Sequence, residues 1–129
     1  MVTWLLLGTV LYLLTAYTPS LFLIAGIGFG NYLGSRDEEP ITNTIHARAE
    51  RAARNFRENY PVFMGLGILA LVVPEANLPM ATTGAMVFVV ARLAYLPLYM
   101  AAVPVVRSAV FMVGWMGLIA MGLSILPSG

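Results

Sequence analysis

The sequence predicts an all-α integral membrane protein, a four-helix bundle forming a single domain over residues 1–129, and three observations predict it. Sixty per cent of the 129 residues are hydrophobic and 10% are charged, which is more apolar surface than one small water-soluble core can hide. The apolar residues lie in long runs, each able to cross about 30 Å of hydrocarbon as roughly 20 residues of helix. The ionisable residues gather in the loop after the first run and at the start of the second.

Taken in order, Val2 to Phe29 carries no charge and makes span one. It is too long for a signal-peptide core and lacks a basic leader, so it is read as a retained span. Gly26, Gly30 and Gly34 follow at four-residue spacing, either a surface for close helix approach or a Gly-rich frayed end. The chain is polar from Ser35 to Thr44, and Arg36-Asp37-Glu38-Glu39-Pro40 forms a short acidic loop that does not fit in hydrocarbon. His46 to Asn59 is charged but free of helix breakers and runs on into the apolar Tyr60 to Val73. One long helix from about Ile45 to Val73 is therefore expected, its first half protruding from the bilayer or lining a polar cavity. Pro74 to Pro79 is the next turn. The apolar stretch from there to Leu126 is right for two spans, with the break marked by Pro104 and Arg107. There is no internal repeat and no low-complexity linker.

Composition also excludes chemistry. All seven basic residues are arginine and the formal net charge is +1, so nothing points to a polyanion-binding face or a nucleic-acid partner. With no cysteine there is no disulfide, no zinc-thiolate site and no cysteine nucleophile, and any thiol chemistry must use a borrowed thiol. His46 is the only histidine and has no second ligand at metal spacing, so no metal is expected. Arginines crowd the first loop and the start of the second helix, and Arg107 marks the third loop. The positive-inside rule then places loops one and three in the cytoplasm and both termini outside.

On a helix, Arg48, Arg51, Asn55 and Glu58 fall within about one quadrant and form a polar stripe along the first half of the second helix. Arg92, Tyr95 and Tyr99 share a face of the third helix by the same arithmetic. Arg107 and Ser108 open the fourth. Two such stripes at similar depth can face one another across a wet cleft while their apolar backs face lipid. Glu50 with Arg54, and Arg54 with Glu58, stand at i,i+4 and can instead neutralise one another on a solvated helix end, which is the reading preferred for Arg54 and Arg57. Arg51, Asn55 and Glu58 are read as lining a site, because ionisable groups in or near a span usually do. Arg92 has no acidic neighbour in its own helix, so a partner from the second helix such as Glu58 is expected.

The run Arg51-Ala52-Ala53-Arg54-Asn55-Phe56-Arg57-Glu58-Asn59-Tyr60-Pro61 resembles the second-span motif of the membrane-associated proteins in eicosanoid and glutathione metabolism, the MAPEG family. Ala91-Arg92-Leu93-Ala94-Tyr95 with Tyr99, and Arg107-Ser108, reinforce the resemblance in the same order, and it covers essentially the whole chain. The short loops resemble those of bacterial members, which implies a bacterial inner membrane with the site facing the cytoplasm. The resemblance implies a homotrimer holding glutathione, as co-substrate, in a bent shape between spans of adjacent subunits. Carried over residue by residue, it implies that Arg51, Asn55 and Glu58 bind the tripeptide's backbone and charged ends. Arg48 and Arg54 would be outer contacts, Arg92, Tyr95 and Tyr99 would close the site from the third span, and Arg36 would contribute from the end of the first.

Arg107 is implied as the catalytic residue. A free thiol, with a pKa of about 8.5, is only a few per cent thiolate at neutral pH, and a nearby guanidinium favours the anion. Ser108 either donates a hydrogen bond to sulfur or caps its helix. The sequence departs from many relatives at Ala53, where they carry histidine, and at Phe111, where some carry tyrosine. The expected function is a glutathione-dependent transferase or peroxidase acting on a lipophilic small molecule that arrives from the membrane lipids. The alternative is a non-catalytic lipid-binding scaffold of the same fold. A small transporter is a weaker third, for want of an inverted repeat.

Overall fold

The computed structural model describes residues 1–27, 44–100 and 104–126, and within them all side chains except those of 22–27, 44–46, 99–100 and 104. Four helices account for nearly all of these: α1 (Val2–Ile27), α2 (Thr44–Val72), α3 (Leu78–Met100) and α4 (Pro104–Ile125). Three of them contain stretches long and apolar enough to cross a membrane, Val2–Leu21, Leu78–Leu98 and Val105–Ile125. The fourth, α2, is the expected continuous helix, charged over its first half and apolar over its second. Pro19, Pro61 and Pro97 all lie inside helices. Each removes one backbone donor, which a packed membrane bundle tolerates where neighbours and local adjustment re-satisfy the freed carbonyl.

The helices alternate in direction, and the contacts establish it. Thr9 meets Tyr60 while Tyr12 packs on Phe56, so α1 and α2 run antiparallel. Phe63 stacks on Phe88 and Asn55 reaches Arg92, which reverses α3 against α2. Asn77 bonds Ser124 while Tyr95 meets Phe111, which reverses α4 against α3. An up-down-up-down bundle results. It brings the charged half of α2, the second half of α3 and the first half of α4 to one end, the end that also receives the second half of α1. Met1 and Leu126 lie at the other.

The core is aromatic where α1, α2 and α3 converge. Tyr12 stacks on Tyr60 at 4.2 Å between ring centroids, and Phe63 stacks on Phe88 at 4.7 Å. Phe56 meets Phe88 edge-on at 6.0 Å. Thr9 donates its hydroxyl to the Leu5 carbonyl at 2.8 Å, so the 2.8 Å hydrogen bond between Thr9 Oγ1 and Tyr60 Oη has the tyrosine as donor. The outer faces of the bundle carry exposed Leu6, Leu14, Val90, Leu93, Met116 and Ile119, as surfaces meeting lipid tails require.

Between α3 and α4 the packing is closest. A Cβ built on Gly84 would lie 2.5 Å from the Gly117 carbonyl oxygen, and one on Gly117 would lie 2.6 Å from the Gly84 carbonyl oxygen. Each glycine is thus held by the other's backbone. The expected close approach at Gly26, Gly30 and Gly34 is not described: Gly30 and Gly34 lie outside the described residues, as does the side-chain environment at Gly26.

The turn between α2 and α3 is shorter than the sequence suggests, because Pro79 sits in the first turn of α3, where its missing N–H costs no helical bond. Asn77 caps that helix: its Oδ1 accepts from the Met80 N–H at 3.2 Å, and its own N–H donates to the Ser124 carbonyl at 2.8 Å. Asn77→Ala is expected to lower stability by about 1 kcal/mol, read as a fall in the thermal midpoint of the detergent-solubilised protein.

Candidate functional site

At the charged end of the bundle, α2, α3 and α4 enclose a cleft of about 370 Å³, within the range of roughly 300–1,000 Å³ usual for small-molecule sites. Its walls are Arg51, Arg54, Asn55 and Glu58 from α2, Tyr95 from α3, and Arg107, Ser108 and Phe111 from α4. The i, i+3, i+4 and i+7 spacing of the α2 group puts four polar side chains on one face without breaking the helix. Pro104 starts α4 with its fixed φ, which sets Arg107 and Ser108 in the first turns of that helix. The cleft carries three guanidinium groups to one carboxylate, a donor-rich lining suited to a ligand with more anionic groups than cationic ones.

Arg92 is beneath this cleft. Only 3% exposed, it is not among the lining residues. Its guanidinium carbon lies over two rings, 4.4 Å from the Phe56 centroid and 4.3 Å from that of Tyr95. Nη1 donates to Asn55 Oδ1 at 2.7 Å, and Nη2 reaches the Ala52 carbonyl at 3.5 Å. The expected pairing with Glu58 is therefore corrected. The antiparallel register sets residue 92 against the Ala52, Asn55 and Phe56 face of α2, while Glu58 turns to the cleft and is exposed. Two aromatic faces, each worth about 0.5–2 kcal/mol to a cation, with an amide oxygen, hold the charge without desolvating a carboxylate beside it. Nε has no hydrogen-bond partner among the described residues.

The aromatic lining continues out of the cleft along α4. Tyr95 contacts Phe111 at 6.0 Å, and Phe111 contacts the exposed Trp115 at 6.4 Å. A second, smaller cavity of about 200 Å³ lies between α1 and α2, lined by residues that include Tyr12, Ser20, Glu50 and Arg57.

Protein-family models match the MAPEG family over residues 1–126. The chain belongs to the MAPEG family. No curated protein matches it.

Of the residues that the MAPEG motifs nominate, Arg51, Arg54, Asn55, Glu58, Tyr95, Arg107 and Ser108 come together around the one cleft. Arg54, read from the sequence as part of a self-neutralising solvated end, is one of its walls. Arg48 is half-buried one turn before Arg51 and outside the lining, and Arg92 sits below it. Tyr99 belongs to α3 with its side chain outside the described residues, and Arg36 and the acidic loop are wholly outside them. Phe56, Asn59 and the Ala52 carbonyl were not singled out by the sequence. Part of the signal was available, since Asn59 follows Asn55 by one helical turn; its burial, to 7% exposure, is visible only in the structure.

Proposed function

We propose that this MAPEG protein is a glutathione-dependent membrane enzyme, a transferase or peroxidase. The observation that carries the reading is the convergence of Arg51, Arg54, Asn55, Glu58, Arg107 and Ser108 on one cleft. Glutathione carries two carboxylates and one ammonium, and the lining offers three guanidiniums and one carboxylate. Arg51, Arg54 and the Asn55 amide suit the carboxylates and peptide carbonyls, and Glu58 suits the ammonium. Arg107 then stands by the sulfur and favours its thiolate, with Ser108 as a further donor.

In a transfer reaction the thiolate electron pair forms the new S–C bond, and the leaving group departs with the pair of the bond that breaks. With a hydroperoxide, sulfur attacks the distal oxygen and the displaced alkoxide takes up a proton. The resulting sulfenic acid condenses with a second glutathione to give disulfide and water. The aromatic run from Tyr95 through Phe111 to exposed Trp115 supports a lipophilic partner entering sideways from the bilayer.

The same reading places the cleft on the cytoplasmic face with both termini outside, in a bacterial inner membrane. The bundle gathers Arg48, Arg51, Arg54, Arg57 and Arg107 at the cleft end, while the turn between α2 and α3 carries only Glu75 among ionisable residues. We read the assembly as a homotrimer, with glutathione bent between adjacent subunits, on the strength of the family resemblance.

A ligand that binds only the folded state raises the melting temperature, and a concentration of 100 times Kd stabilises by about 2.7 kcal/mol. Glutathione titrated into the detergent-purified protein is expected to give a saturable upward shift that is lost in Arg51→Ala and in Glu58→Ala. No shift up to millimolar glutathione, in protein that remains folded, would overturn the reading in favour of a lipid-binding scaffold or a different thiol.

A further inference from the structure

Asn55 has one side of its carboxamide in the cleft and the other against α3, and the chemistry of its neighbours decides which atom lies on which side. A guanidinium has only donors. The Asn55 atom 2.7 Å from Arg92 Nη1 is therefore the oxygen. Asn59 Nδ2 approaches the same oxygen at 3.4 Å while donating to the Asn55 backbone carbonyl at 3.2 Å, so both acceptor positions of Oδ1 face donors. Turning the carboxamide over would press an NH2 group against a buried cation with no acceptor between them. Arg92 is not free to follow, because the Phe56 and Tyr95 rings lie 4.4 and 4.3 Å from its guanidinium carbon and the Ala52 carbonyl takes its other end.

The two N–H donors of the Asn55 amide are what remains, and among the described residues no protein acceptor takes them. Asn55 is a wall of the cleft. We propose that Arg92 is a positioning residue that locks the Asn55 carboxamide oxygen-inward and NH2-outward, so that at this point the cleft accepts only a hydrogen-bond acceptor, a carboxylate or peptide carbonyl oxygen. Arg92 itself does not touch the ligand. The polarity stands whatever occupies the cleft, and naming the acceptor as an oxygen of glutathione rests on the function proposed above.

Two experiments test this, and the first needs no ligand. In protein labelled with 15N-asparagine, the side-chain NH2 of Asn55, open to the cleft, is expected to exchange with water at least about tenfold faster than that of Asn59, which is held by Asn55. The Asn55 signal is assigned by its loss in Asn55→Asp. Equal protection of the two would overturn the proposal.

The second uses glutathione binding. Asn55→Asp keeps an oxygen for Arg92 and so retains the fold, with an unliganded melting temperature at or above the parent's, but it replaces the outward donor with an acceptor. It is expected to weaken glutathione binding by about tenfold or more. Arg92→Met, which fills the same apolar slot, is expected to weaken binding several-fold in the parent and not at all in an Asn55→Leu background, as a residue acting through Asn55 must. Parent-like binding by Asn55→Asp would overturn the proposal, and so would an equal Arg92→Met loss in both backgrounds. Absence of glutathione binding in the parent would instead sink the proposed ligand and leave the exchange measurement to decide the polarity.

Discussion

Arg107→Ala is expected to lower kcat by about a hundredfold or more while leaving glutathione affinity within a few-fold of the parent. Removing a donor aimed at developing or standing negative charge costs about 10²–10³ in kcat at comparable sites. The location of Arg107 supports that size of effect, since it faces the cleft from the first turn of α4, on the wall opposite the Arg51 and Glu58 stripe that is proposed to carry the ends of the peptide. A group that binds the sulfur only as thiolate contributes to the reactive form and little to docking, so the loss falls on kcat. The pH profile separates this from misfolding. Without Arg107 the thiol ionises nearer its free value of about 8.5, so the variant's activity should keep climbing through pH 8–9 where the parent has already levelled. Arg107→Lys is expected to fall between the two, because an ammonium supplies charge but not the planar fork of donors. Normal turnover in Arg107→Ala would sink the mechanism.

Gly117→Ala is expected to destabilise the bundle by about 1–3 kcal/mol, the usual range for forcing an extra carbon into a packed interior. Its Cβ would meet the Gly84 carbonyl oxygen at 2.6 Å, the Phe88 nitrogen at 2.9 Å and Val87 Cβ at 3.3 Å. Two of those three are backbone atoms, which have no rotamer to retreat into. The control is Gly122→Ala, whose Cβ would meet nothing within 4 Å. That variant should be neutral or slightly more stable, since alanine is the better helix former by up to about 1 kcal/mol. Unfolding midpoints in mixed micelles measure both. A Gly117→Ala protein as stable as Gly122→Ala would show that α3 and α4 are not locked at this point. The effect should reach the cleft too, because parting α3 from α4 moves Tyr95 away from Phe111.

Span lengths were legible because hydropathy and length are properties of one helix at a time. α1 runs Val2–Ile27 within the expected Val2 to Phe29, and α2 runs Thr44–Val72 within a residue of the expected bounds. The polar stripe on α2 was legible for the same reason: Arg51, Asn55 and Glu58 share a face by their spacing alone, and they line one cleft. What the sequence left open depended on how two helices meet. Periodicity says that Arg92 and Tyr95 share a side of α3, but not which residue of α2 stands opposite. That register gives Arg92 to Asn55 and Ala52 instead of Glu58. Gly84 and Gly117 were hidden for a related reason. Gly117 is one of three glycines in its apolar run, with Gly114 and Gly122, and neither it nor Gly84 shows its purpose until the other is placed across from it.

The division of α2 into a charged half and an apolar half bears on how the protein reaches the membrane at all. At 1.5 Å per residue its 29 residues extend about 43 Å, yet its charge-free second half, Asn59 to Val72, covers only about 21 Å of a hydrocarbon layer near 30 Å. Centred in the bilayer by itself, such a helix would draw some of its arginines and glutamates into lipid at about 2.5–3.5 kcal/mol for each arginine or acid near the middle. α2 is therefore a poor substrate for insertion one helix at a time. Its polar face becomes acceptable in the membrane only once α3 and α4 stand against it, so the nascent chain must keep α2 in the translocation machinery or at the interface until its C-terminal hairpin has been made. In a chain truncated after the α2–α3 turn, α1 should hold the product in the membrane while α2 stays accessible to a water-soluble label, and the polar residues of the cleft would be the last part of the molecule to settle into place.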